Sequence, residues 1–296
     1  MKSTTAAAAL LLAGSAPLAS ALRKGFNIGA QNADGTCKTQ AQWAQDFKGM
    51  KNLPGNFKDV RVYAASDCNT LELAVPAAKD AGVQLLVGIW TEDDAHYSAE
   101  KAALEAAITK YGVDWISAVS VGSEDLYRGD TNAGRLAEQV YDVRGMISQD
   151  KYGGKGIWVG HVDTYNAWNA SSADLINAVD FVGVDAYPYW QGVTPDQGQS
   201  TFQKAIDETL GFINQYNPAA KLWITETGWP TAGPNFGNSV ANKANAKTFW
   251  DAVLCKYASQ YSIWWYTLHD TSTEAQDFGV VDDNFGALFD LNCPSS

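Results

Sequence analysis

The 296-residue chain has little of what metal and thiol chemistry requires. Its three histidines, His96, His161 and His269, lie far apart with no H-E-x-x-H, and its four cysteines form no C-x-x-C. A zinc site is therefore not expected. Basic residues are also scarce: 21 Lys+Arg stand against 33 Asp+Glu, for a formal net charge of −12. Such a surface repels nucleic acid and anionic lipid and tolerates a neutral substrate. Beyond the first 21 residues no apolar run is long enough to cross a bilayer. No G-x-G-x-x-G follows the first strand-like segment, which argues against an open dinucleotide-binding sheet. There is no internal repeat, linker or low-complexity tract, so one domain is expected.

What is present begins with a leader. Lys2, the apolar stretch A-A-A-A-L-L-L-A (6–13) and Ala19-Ser20-Ala21 have the order of a secretory signal peptide. Residues 1–21 are read as that signal and 22–296 as the folded domain. The end L-N-C-P-S-S lacks the hydrophobic tail of a lipid-anchor signal. In a secreted chain, Cys37, Cys68, Cys255 and Cys293 imply two disulfides, with three connectivities open. Asn169-Ala-Ser is an N-glycosylation sequon.

Short apolar runs alternate with helix-length amphipathic stretches along the whole chain. Candidate strands cover 25–29, 59–64, 84–90, 116–123, 156–163, 181–187, 222–227 and 262–270. They are mostly continuous apolar runs, as expected for parallel strands covered on both faces. Helices are expected near 40–52, 70–81, 98–111, 132–150, 172–179, 201–216 and 240–258, with Gly82 and Gly112 just past two of the ends. Eight such units predict a single α/β domain, a (β/α)8 TIM barrel.

Two of these strands end in a lone acid: I-S-A-V-S-V-G-S-E closes on Glu124, and L-W-I-T-E-T carries Glu226. A carboxylate there is costly unless paired or used. In a barrel, strand C-termini share one mouth, where two carboxylates flanking one bond suit glycoside hydrolysis. Thr225 and Thr227 are expected to hold Glu226 as an anion, making Glu124 the acid/base and Glu226 the nucleophile, although local sequence leaves that order open. Tyr63, Trp90, Tyr187, Tyr189, Trp190, Trp229 and Trp265 fall at or past strand ends and are expected to line a sugar-binding groove. Trp158, Trp223 and Trp264, inside strands, are assigned to the core. Ser123, Asp163, Asp185, His161, His269 and Asp270 are candidates for contacts to sugar hydroxyls.

The motifs V-G-S-E-D-L-Y-R (121–128), W-I-T-E-T-G-W-P (223–230), D-A-Y-P-Y-W (185–190) and V-R-V-Y-A-A-S-D-C-N-T (60–70) resemble fungal members of glycoside hydrolase family 17. These are secreted or wall-associated β-1,3-glucanases and glucanosyltransferases, and the resemblance runs across the mature chain. It implies a (β/α)8 barrel and a retaining double displacement, with Glu124 as acid/base and Glu226 as nucleophile about 5 Å apart. It also implies substrate contacts at Tyr63, Tyr187 and Trp229. Ser123, preceding the acid/base, departs from the Asn usual in plant members and matches fungal ones. On the implied barrel, Cys37 and Cys68 follow adjacent strands, while Cys255 and Cys293 lie at the last long helix and the tail, so 37–68 and 255–293 are the expected pairs. The expected partner is a β-1,3-glucan poly- or oligosaccharide, bound by a secreted or wall-located monomer that needs no cofactor. The competing function is a non-catalytic glucan-binding wall protein on the same scaffold, which would keep the groove but has no reason to keep both acids.

Overall fold

The computed structural model describes residues 22–272 and 275–294, so the leader expected over 1–21 lies outside the described residues. Eight parallel strands close on themselves in chain order: β1 (Lys24–Asn27), β2 (Asp59–Val62), β3 (Gln84–Ile89), β4 (Ile116–Ser123), β5 (Val159–Thr164), β6 (Phe181–Asp185), β7 (Lys221–Glu226) and β8 (Ile263–Trp265). Seam pairing of Phe26 with Trp265 joins the last strand to the first. The predicted TIM barrel is thus the observed fold. Around it lie α1 (Gln40–Asn52), α2 (Thr70–Ala81), α3 (Asp94–Tyr111), α4 (Asp125–Arg128), α5 (Ala133–Ile147), α6 (Ala173–Ala178), α7 (Pro195–Tyr216), α8 (Lys243–Ala252) and α9 (Leu254–Tyr257). Among the described residues, no helix is long and apolar enough to cross a membrane.

Boundaries differ from the sequence expectations where capping residues decide them. The third helix starts at Asp94, not 98, because the Asp93 carboxylate accepts the His96 N–H at 2.7 Å. The seventh starts at Pro195, not 201: proline suits the first helical position, and Thr194 and Gln197 form a reciprocal cap. The expected helix over 240–258 breaks at Val253 into α8 and α9. The last strand is shorter than expected, because beyond Trp265 the chain turns across the barrel mouth. There Thr267 Oγ1 donates to Asn27 O at 2.6 Å.

The period-2 alternation of the strands separates two apolar layers. Outward residues such as Val60, Val87, Val119 and Ile224 join the helices in one large core. Leu86, Ala118, Val162, Phe181, Trp223 and Trp264 form a smaller cluster inside the barrel, where the Phe181 and Trp223 rings stack with centroids 4.0 Å apart. Gly183 is the small partner this packing needs: a Cβ there would sit 2.6 Å from Val162 Cγ2. Disulfides join Cys37 to Cys68 and Cys255 to Cys293, the pairing the resemblance implies.

Candidate active site

A groove of about 1010 Å³ crosses the C-terminal mouth of the barrel, and both Glu124 and Glu226 line it. The two acids are presented differently. Glu226 is the last residue of β7, paired in register with Asp185 of β6 and 8% exposed. Glu124 follows β4 in a left-handed conformation (φ 59°, ψ 22°) and caps α4. A glutamate is strained there, and the strain is held by neighbours. Its N–H donates to Val162 O at 2.9 Å. Buried Asp125 accepts the Ser123 N–H at 2.7 Å and the Thr91 hydroxyl. Gly122 (φ 79°) makes the turn feasible, since a Cβ would lie 2.4 Å from Asp125 Oδ2 and 2.9 Å from the His161 ring.

Around Glu226 is a buried polar network that the sequence reading did not include. Arg61, in the middle of β2 and 1% exposed, donates to Glu226 Oε1, to Asn27 Oδ1 at 3.0 Å and to Ser123 Oγ at 2.9 Å. One guanidinium thus ties the nucleophile candidate to the residue preceding Glu124. Burial opposes its charge, but the carboxylates of Glu226 and Asp185 outweigh that and raise its pKa further. Its plane also lies over the Tyr63 ring, 4.7 Å from the centroid. The Tyr187 hydroxyl donates to Glu226 Oε2 at 2.6 Å; burial and the Glu226 charge raise the phenol's pKa, so it remains a donor. The signal for Arg61 was present: V-R-V-Y sets a cation inside an apolar strand, which requires a buried counter-ion.

The expected threonine cradle is not found. Thr225 Oγ1 donates to Asp185 Oδ1 at 2.7 Å and Thr227 Oγ1 to Ala186 O at 2.8 Å, leaving Glu226 to Arg61 and Tyr187. Alternation along the strand turns residues next to Glu226 away from its carboxylate.

The electrostatics separate the two acids. Burial, then the negative charges of Glu226 and Asp163, push the Glu124 carboxyl up to about 7, against the pull of Arg61 and Arg128. Asp185 is also raised well above the usual carboxylate range, by burial first and by Glu226 second. Tyr63 Oη and Asp185 Oδ2 are buried with no hydrogen-bond partner among the described residues, and both residues line the groove. A hydroxyl group in the groove carries both the donor and the acceptor that such atoms take.

Of the other expected contacts, Trp90, Ser123, Tyr187, Trp190, His269 and Asp270 line the groove. Four do not. Trp229 and Trp265 are each 1% exposed; the first donates its indole N–H to Val240 O at 3.0 Å, and the second packs on Trp250 with centroids 5.0 Å apart. Neither leaves a face for a sugar, and both are corrected to core residues. Tyr189 is likewise fully buried, edge-on to Trp229. Asp163 is 0% exposed and accepts from the N–H groups of Leu126 (2.9 Å) and Thr164 (2.8 Å) and faces His161 Nε2 at 3.1 Å. Asp163 and His161 thus brace the turn that carries Glu124 and touch no groove. A strand end faces either the barrel mouth or the helix layer, and sequence position alone did not distinguish them.

Asp67, His96 and Glu100 bring ligand-type atoms within 4.8 Å of one another. However, both Glu100 oxygens already accept donors, from Ala65 and Trp90 on one side and from Ser66 N–H and hydroxyl on the other. That saturation makes Glu100 a brace between two loops, not a metal ligand. Asn169 caps a 3-10 turn through Oδ1, and its Nδ2 donates to Ala167 O at 3.0 Å.

Residues 25–286 match the BtgE/BtgC glycoside hydrolase domain. A probable glucan endo-1,3-beta-glucosidase of Aspergillus fumigatus is 38% identical over 300 residues, covering 93% of this chain and 66% of that protein. A glucan 1,3-beta-glucosidase of Saccharomyces cerevisiae is 35% identical over 290 residues, covering 92% and 91%. The glycoside hydrolase family 17 beta-1,3-glucanosyltransferase of Rhizomucor miehei superposes with a TM-score of 0.78 at 28% identity, over 89% of this chain and 95% of that one.

Proposed function

The chain belongs to the family 17 glycoside hydrolases of the BtgE/BtgC type, and from that premise we propose that it cleaves β-1,3-glucan by a retaining double displacement. Glu226, which accepts hydrogen bonds from Arg61 and the Tyr187 hydroxyl, attacks the anomeric carbon. Glu124, protonated near neutral pH, gives its proton to the departing glycosidic oxygen. A covalent glycosyl ester on Glu226 results, and the leaving chain departs as an alcohol. Glu124, now a carboxylate, takes a proton from the incoming acceptor, which displaces Glu226 from the same carbon. Water as acceptor gives hydrolysis; a glucan hydroxyl gives transfer and a longer product. Residues 1–21 deliver the enzyme to the secretory route, residues 22–296 form the catalytic domain, and the enzyme acts outside the cell or in the wall as a monomer.

The observation that carries this reading is the pair of glutamates on one groove in opposite electrostatic settings, one cradled by donors and the other pushed up by burial. A non-catalytic wall protein has no use for that asymmetry. The test is a 2-deoxy-2-fluoroglucosyl fluoride, which slows turnover of the ester. A single-sugar mass increase on the peptide containing Glu226 is expected. Label on another peptide, or undiminished product release from β-1,3-glucan by Glu226→Gln, would overturn the proposal. Product lengths from β-1,3-gluco-oligosaccharides then separate hydrolysis from transfer.

A further inference from the structure

Arg128 ends α4, four residues after Glu124, and its guanidinium meets several groups at once. Nη2 donates to Ser123 O at 2.6 Å, Nε binds Asp130 at 2.7 Å, and Nη1 lies 3.9 Å from Glu124 Oε2. Its plane also covers the Trp90 ring, 5.0 Å from the centroid. Trp90 comes from the loop after β3, where its N–H is fixed by Glu100 at 3.2 Å. Both Trp90 and Arg128 line the groove.

The chemistry gives this cluster a direction. A general acid stands beside the leaving oxygen, so the sugar that departs lies on the Glu124 side of the scissile bond. Trp90, tied to Glu124 through Arg128, therefore flanks that side, half-buried at the groove with the guanidinium over its ring. The charges facing Glu124 come from several elements: Glu226 on β7 and Asp163 on β5 raise its pKa, while Arg61 on β2 and Arg128 on α4 lower it. Arg61 is committed to Glu226, Asn27 and Ser123, and Asp125 is turned inward to Thr91 and the Ser123 N–H. Arg128 is the cation at the groove rim.

We propose that Arg128 is a positioning residue that fixes the Trp90 ring on the leaving-group side and couples it to the Glu124 carboxyl, so that a sugar stacked on Trp90 presents its bridging oxygen to the acid. The inference rests on the reading of Glu124 as acid/base. Arg128→Gln removes both the charge and the stack, whereas Arg128→Lys keeps the charge and loses the planar stack. Loss of the cation lets the Glu124 carboxyl hold its proton to higher pH. The alkaline limb of kcat/KM on β-1,3-gluco-oligosaccharides is therefore expected to rise by roughly half a unit to one unit in Arg128→Gln and to stay in place in Arg128→Lys. KM is expected to rise roughly two- to fivefold in both, an effect that vanishes in a Trp90→Ala background. An unmoved limb in Arg128→Gln, or a KM rise that persists without Trp90, overturns the proposal, as does a lowered melting temperature with unchanged kinetics. Should the Gln variant fail to fold, the Lys variant and its Trp90→Ala cycle decide through KM. Wild-type rates from Glu124→Gln would instead overturn the acid/base reading itself.

Discussion

The ends of β4 and β7 carry the same side chain to the same groove and treat it in opposite ways. At β7 the chain stays in strand geometry, and Glu226 receives a buried guanidinium and a phenol hydroxyl. At β4 the chain turns through Gly122 into a left-handed residue, and Glu124 receives desolvation and neighbouring negative charge, with Arg128 at a looser 3.9 Å. The difference teaches that the role of a carboxyl is set by the donors aimed at it and by its backbone, not by its residue type. It also explains why local sequence left the roles open: the donors to Glu226 come from β2 and from the turn after β6.

The strongest way to break the comparison is to neutralise each acid. Glu226→Gln is expected to reduce kcat on β-1,3-glucan by about 10⁴-fold or more, and Glu124→Gln by a comparable factor on substrates with poor leaving groups. A fluoride leaving group needs no proton, so with an activated glucosyl fluoride Glu124→Gln should regain its first step while Glu226→Gln should not. Equal recovery in both would erase the distinction between the two strand ends.

The next effect concerns the aromatic residues flanking the two ends. Trp265→Ala empties a fully buried site and should cost about 3–5 kcal/mol of stability, measured by denaturant unfolding. Trp90→Ala, at the groove, should cost far less stability and should raise KM. A reversed pattern would contradict the assignment of Trp265 to the core.

Tyr187→Phe removes one of the donors holding Glu226 and leaves Glu124 untouched. A hydrogen bond to a charged group contributes about 1.5–3 kcal/mol, so kcat should fall by roughly one to two orders of magnitude. An unchanged kcat would show that the Tyr187 hydrogen bond to Glu226 plays no part in the reaction.

The smallest effect is on stability. The folded Glu124 carboxyl is raised from 4.5 to about 7, so the neutral form is favoured in the folded state. Its favourable contribution is complete below pH 4.5 and is lost as pH rises through 7. The full shift corresponds to roughly 3 kcal/mol, which solvent reaching the 29% exposed side chain lowers to about 1–2 kcal/mol. Glu124→Gln should therefore be more stable than wild type at pH 8 and equal to it at pH 4, as read from melting temperatures. A difference independent of pH would assign the gain to something other than the buried charge.

The parallel barrel and the two acids were legible in the sequence because apolar periodicity and strand-end placement are local signals. The disulfide pairs followed from motif resemblance, since spacing alone leaves three connectivities. Which strand-end aromatics face solvent was not legible. Trp90 and Trp229 occupy similar places in the sequence, yet one lines the groove and the other donates its indole N–H to Val240 O in the core. The Arg61 network was half legible, as a cation within an apolar strand whose partner lies far along the chain.

By itself, the sequence determined the eight-fold strand–helix alternation and which carboxyls stand at strand ends, because hydrophobic pattern and turn residues act over a few positions. Only the tertiary structure decided which acid is cradled and which is desolvated, and which aromatics meet a ligand. Those properties are sums over neighbours from β2, β5, β6 and α4, which the closed barrel brings within hydrogen-bonding and Coulombic range.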